Sequence, residues 1–128
     1  PSWVRRGTMS HANRPESWEL VVLPDGTSKV AFEKDKKVEN AGRFVVERED
    51  HTLGNLVRMQ LLEDTRVAFA GYRMPHPLEH KIHIEVHTTA NSNPADAMIL
   101  ACNNLIDKLN RMEEKFDAEV ARKQHQGL

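Results

Sequence analysis

From Asn93 onward the sequence commits to one long helix, and the length of that helix limits every other choice. Asn93 is a good N-cap residue, Pro94 suits the first helical position, and Asp96 complements the positive end of the helix dipole. Met98, Ala101, Leu105, Leu109, Met112, Phe116 and Val120 follow in steps of three and four. That seam is nearly straight, closer to a coiled-coil pattern than to a broad core face. A helix of about 27 residues spans roughly 40 Å. A domain of ~100 residues has a radius of gyration of about 13 Å and is only about 30–35 Å across. The far end must therefore overhang, and it carries Met112, Phe116 and Val120. Burying each is worth ~1.5–3 kcal/mol, which together approaches the ~5–15 kcal/mol net stability of a whole domain. The pattern predicts a partner that covers the seam. The competing expectation is a frayed tail, since residues 118–126 fade into polarity.

The other helix signal lies in residues 49–62, EDHTLGNLVRMQLL. Asp50 and Thr52 both have side chains that accept the orphan N–H groups of a first turn. Leu53, Leu56, Val57 and Leu61 recur at a 3.6-residue period, and Asn55, Arg58, Gln60 and Glu63 cover the opposite face. Gly54 interrupts this scheme at a cost of ~1 kcal/mol relative to alanine. Either another backbone approaches closely there, or Gly54 sits in a frayed first turn.

The remaining elements read as strands. Residues 18–23 (WELVVL) end at the turn Pro24-Asp25-Gly26, and residues 29–33 (KVAFE) alternate Val30 and Phe32 with charged neighbours. Residues 43–48 (RFVVER) feed the first helix, and residues 67–74 (VAFAGYRM) leave it, too mixed to give a clean inside face. Pro75-His76-Pro77 lacks two backbone donors and reads as a rigid extended link. From Lys81 to Thr88 the alternation is clear, with Ile82, Ile84 and Val86 on one face and Lys81, His83, Glu85 and His87 on the other. One apolar and one wet face imply an antiparallel sheet. The fold class expected is α+β: a small, mostly antiparallel sheet with helices on one face and a long C-terminal helix.

One domain fits the 128 residues. We expect a disordered N-terminal tail over residues 1–15, the domain over 16–122 and a disordered tail over 123–128. Met9-Ser10 resembles a natural start, which would make residues 1–8 an upstream remnant. A net charge of −1 gives no electrostatic case for direct nucleic-acid binding. The single cysteine, Cys102, excludes an internal disulfide and suits a reducing compartment. No apolar run reaches the ~20 residues that span a bilayer, and no signal peptide is visible, so a soluble intracellular protein is expected.

Seven histidines invite a catalytic or metal reading that the spacing does not support. His83 and His87 share a strand face yet lie ~13 Å apart, beyond joint ligation. His76 and His80 flank the proline link without a cysteine nearby. Cys102 next to Ala101 reads as a small buried hydrophobe rather than a nucleophile for His51, and Asp50-His51 reads as a cap beside a structural histidine. No glycine-rich phosphate loop or paired-carboxylate signature occurs. We expect no catalytic residues, no metal, no cofactor and no small-molecule substrate.

His51-Thr52-Leu53-Gly54-Asn55, followed by Arg58 and Leu61-Leu62, resembles the first-helix motif of the alpha-like subunits of multisubunit RNA polymerases. Glu49-Asp50 before it, with Phe69-Ala70-Gly71-Tyr72 and residues 75–82 (PHPLEHKI) after it, narrows the likeness to the small alpha-like subunits of eukaryotic RNA polymerase II. The resemblance covers roughly Trp18 to Phe116. Glu39 stands where that family has a proline, leaving the conformation of this connection open. Met59 stands where bacterial members carry a second arginine, so their contacts to catalytic subunits are not carried over.

The resemblance implies an alpha-type dimerisation domain in a non-catalytic nuclear subunit. Its partner would be the larger alpha-like (third) subunit, and the pair would be the platform for the second-largest and largest catalytic subunits in mRNA transcription. It implies that His51, Thr52, Leu53, Gly54, Asn55, Leu56, Arg58 and Leu61 form an interlocking first helix, with Leu105, Leu109, Met112 and Phe116 as the other half of the dimer interface. Two alternatives stand beside it. One is the equivalent small subunit of RNA polymerases I and III or of an archaeal enzyme; the other is a free-standing homodimeric binding protein or small enzyme.

Overall fold

In the computed structural model, the structure describes residues 22–23 and 25–127. The expected N-terminal tail, and residues 18–21 of the first expected strand, lie outside the described residues. Val22 and Leu23 belong to no strand. The elements in chain order are β1 (Val30–Lys34), β2 (Ala41–Glu47), α1 (His51–Leu62), β3 (Val67–Arg73), β4 (Lys81–Thr88) and α2 (Pro94–His125). The strands form one antiparallel sheet in the order β1-β2-β4-β3.

The two central strands set the core. In β4, Ile82, Ile84 and Val86 are fully buried while the residues between them are half-buried. Their partners across the register are Val46, Phe44 and Gly42 of β2, so two alternating strands build one apolar face. Val57 and Leu61 of α1 and Ala97, Ala101 and Leu105 of α2 pack on that face. The expected α+β architecture, with both helices on one side of an antiparallel sheet, is what the chain adopts.

Local chemistry explains the element ends. Arg48 has a φ of 57°, which takes the chain out of extended geometry and ends β2 at Glu47. Asn40, in the connection the sequence left open, also adopts a positive φ, 55°. Asp50 caps α1, its carboxylate accepting the Thr52 N–H at 2.9 Å. At α2 the Asn93 side chain accepts the Asp96 N–H at 2.9 Å and donates to the Asp96 carboxylate at 2.8 Å. Pro94 follows at the start of the helix, where it has no donor to lose.

Three expectations need correction. Leu56, placed on the inner face of α1, is exposed, and Gln60, placed on the outer face, is 5% exposed and donates to Glu63 at 3.0 Å. The buried residues are instead Gly54, Val57, Gln60 and Leu61, a face turned by part of a residue step. The link after β3 is no straight spacer: Pro77 and Leu78 form a turn, with His76 accepting the Leu78 and Glu79 N–H groups at 3.2 and 3.3 Å. Cys102 is exposed rather than a buried hydrophobe. The mixed look of β3 has a cause as well. Its register to β4 shifts between Val67 and Phe69, so the inward side chains Val67 and Ala70 are three residues apart instead of two.

Candidate interaction surface

Helix α2 has 32 residues, a length of about 48 Å at ~1.5 Å per residue, and continues to His125, past the boundary expected at 122. Its burial stops at Leu105; every residue from Ile106 to Gly127 is exposed. The expected seam therefore divides. Met98, Ala101 and Leu105 are consumed by this chain's own core, whereas Leu109, Met112, Phe116 and Val120 face solvent, Phe116 at 66% exposure. The terminal helix does not fold back on its own domain.

Two further apolar rows join this overhang. On α2, Ile99 and Ile106 are exposed, with Cys102 between them and Leu109 beyond, in steps of three and four. On α1, Leu56, Met59 and Leu62 are exposed and spaced by three, so they share one side of the helix. Lys108 of α2 bonds both carboxylate oxygens of Glu63, at 2.8 and 2.9 Å, and so brings the end of α1 next to the point where α2 leaves the domain. This bond holds the Glu63 carboxyl below its usual range. The result is an apolar surface across two helices that the described residues leave uncovered. Soluble proteins seldom expose such a surface unless it meets a partner.

Among the residues the resemblance implicates, Leu56, Leu109, Met112 and Phe116 lie on this surface. Gly54, Leu61 and Leu105 are buried within the chain, where they hold α1 and α2 against the core. Leu53 is half-buried against the same core. His51, Thr52, Asn55 and Arg58 are not apolar contacts. His51 Nδ1 is 3.1 Å from the Tyr72 hydroxyl, Thr52 donates its N–H to the cap, and Arg58 donates to the Asn55 side chain at 2.7 Å. Met59, Leu62, Ile99 and Ile106, also exposed, lie off the single apolar phase per helix on which the expectation rests. Each helix carries a second phase three residues apart, and that was the available signal.

The far face of the sheet carries Arg43, His83, Glu85 and His87, with Arg43 bonded to Glu85 at 3.0 Å. Burial, and then the cations Arg43, Arg73 and Lys81, push the His83 imidazole below its ordinary pKa. Among the described residues no group of three or more His, Cys, Asp or Glu side chains could hold a metal ion. Although Cys102 is exposed, partial desolvation raises the pKa of its thiol, and His51 is engaged with Tyr72. No helix among the described residues is long and apolar enough to cross a membrane.

Residues 41–115 match the family described as the RNA polymerase Rpb3/Rpb11 dimerisation domain. The chain is 44% identical over 113 residues to DNA-directed RNA polymerase II subunit rpb11 of Dictyostelium discoideum, covering 88% of this chain and 94% of that protein. It is 47% identical over 108 residues to the probable RNA polymerase II subunit RPB11 of Caenorhabditis elegans, covering 84% and 88%. To the corresponding subunit of Schizosaccharomyces pombe it is 42% identical over 107 residues, covering 84% and 86%. Among solved structures, DNA-directed RNA polymerase subunit L of Thermoplasma acidophilum superposes with a TM-score of 0.62 over 79% of this chain and 99% of that one. At 21% identity, that likeness speaks for the fold.

Proposed function

This chain belongs to the RNA polymerase Rpb3/Rpb11 dimerisation-domain family, and from that membership we propose that it is the small alpha-like assembly subunit of a nuclear RNA polymerase II. It takes no part in bond making. It pairs with the larger alpha-like (third) subunit, and the pair is the platform on which the second-largest and largest catalytic subunits gather for mRNA synthesis. The observation that carries this reading is the exposed run of α2 after Leu105, next to the Leu56, Met59 and Leu62 row of α1.

The mechanism is association by burial. Leu109, Met112, Phe116 and Val120 each gain ~1.5–3 kcal/mol on leaving water, and a helix from the partner offers matching apolar steps. Because only the native chain binds, its apparent stability rises with partner concentration. The proposed pairing residues are Leu56, Met59, Leu62, Ile99, Ile106, Leu109, Met112 and Phe116, held in position by Gly54, Leu61 and Leu105. Co-expression with the larger alpha-like subunit tests the reading. Leu109→Glu or Phe116→Glu abolishes co-purification, while His83→Ala, on the far face of the sheet, leaves it unchanged. Normal pairing by the glutamate variants, or a monodisperse homodimer formed by the chain alone, would overturn it.

A further inference from the structure

A second surface lies at the other end of α1. An open groove of about 1100 Å³ forms where β2 ends and α1 begins. Its cations are Arg48, Arg58 and Arg73, with His51 and His80 beside them. Tyr72, Met74 and Pro77 give it an apolar wall.

The two acids that line the groove, Glu49 and Asp50, are already engaged. Glu49 bonds Lys29 at 2.8 Å, and Asp50 accepts the Thr52 N–H at 2.9 Å. Among the described residues, none of the three arginines is paired with a carboxylate. Among the described residues the Arg58 guanidinium bonds the neutral Asn55 amide oxygen alone, and Arg48 Nε is buried without a partner. The Arg48 backbone is fixed as well, since its N–H donates to the His80 carbonyl one step beyond the Glu47–Lys81 pair of β2 and β4.

We propose that this groove docks an extended acidic segment of a protein partner, one that also carries apolar side chains. The planar forks of three arginines match carboxylates in two-pronged geometry, and the Tyr72, Met74 and Pro77 wall accepts the apolar side chains between them. A nucleic acid is the poorer fit, because its phosphate backbone would leave the Met74 and Pro77 wall without an apolar partner. The volume also exceeds what one small anion would fill. The inference rests on the assembly reading and assigns His51 and Arg58 to a contact other than the pairing face.

The test uses the full chain co-purified with the larger alpha-like subunit. A fluorescein-labelled peptide of glutamate and leucine, its glutamine counterpart, inorganic phosphate and an oligothymidylate strand serve as probes. The acidic peptide binds, the glutamine peptide does not, and Arg58→Glu with Arg73→Glu weakens binding by about tenfold or more. Pairing and circular dichroism stay as in the unaltered pair. Should the double glutamate variant lose its fold, Arg58→Gln with Arg73→Gln replaces it and loses affinity in the same direction. Equal binding of the two peptides, unchanged affinity in the variants, complete displacement of the peptide by phosphate, or tighter binding of the oligothymidylate each overturns the proposal. Failure of the unaltered chain to co-purify is scored separately and overturns the assembly reading instead.

Discussion

A Cβ placed on Gly54 would lie 2.5 Å from Cδ2 of Tyr72, far inside the ~3.5–4.0 Å at which carbons make favourable contact. The ring of Tyr72, itself tied by its hydroxyl to His51 at 3.1 Å, occupies the space that any other residue at 54 would need. The close approach that explains this glycine is therefore an aromatic ring of the same chain and not another backbone. It fixes how α1 is rotated on the sheet, and so which of its apolar residues go inward.

Gly54→Ala should destabilise the chain. Alanine gains ~1 kcal/mol of helix preference, but the overlap with a packed ring costs about 1–3 kcal/mol. A net loss is expected, read as a lower urea midpoint. Combining it with Tyr72→Ala should cost less than the sum of the two single changes, because the overlap disappears. Strict additivity would show that the ring does not set the position of α1.

Leu61 and Met59 are two residues apart on α1 with opposite fates: Leu61 is 0% exposed and Met59 57%. Leu61→Ala should cost ~2–5 kcal/mol of folding stability. Met59→Ala should stay within about 0.5 kcal/mol in the isolated chain yet weaken pairing with the larger alpha-like subunit. Denaturation of the chain and affinity of the pair, measured side by side, check both. A large folding loss in Met59→Ala would mean that its row belongs to the core.

Acid should loosen the fold through His83. Its folded pKa lies below the ordinary value of ~6.5, first through burial and then through Arg43, Arg73 and Lys81, with Glu33 opposing. The unfolded chain therefore binds the proton more tightly. This contribution is constant above the ordinary value and is lost as pH falls through it towards the folded pKa. Glu63, Asp64 and Glu79, whose carboxyls are all held low, lose their contributions only below ~4.5. Between about pH 7.5 and 5 the loss of stability should thus be smaller in His83→Gln than in the unaltered chain, measured by urea denaturation at each pH. An identical loss in the two would assign the effect to another group.

Much of this protein is determined by its sequence alone. The caps of both helices, the alternation of Ile82, Ile84 and Val86, and a terminal helix too long for its domain are local or periodic features, legible in the residues themselves. Two phases of apolar residues on each helix were equally visible, but periodicity is blind to which phase a sheet will choose. Tertiary structure decided that. The ring of Tyr72 on β3 admits α1 only at Gly54, which turns Val57, Gln60 and Leu61 inward and leaves Leu56, Met59 and Leu62 in water. The inward spacing of β3 likewise depends on a shift against β4 that no alternation in the strand itself encodes. On α2, Leu105 is the last residue that the domain covers, and the same repeating steps serve as core up to it and as an open face after it.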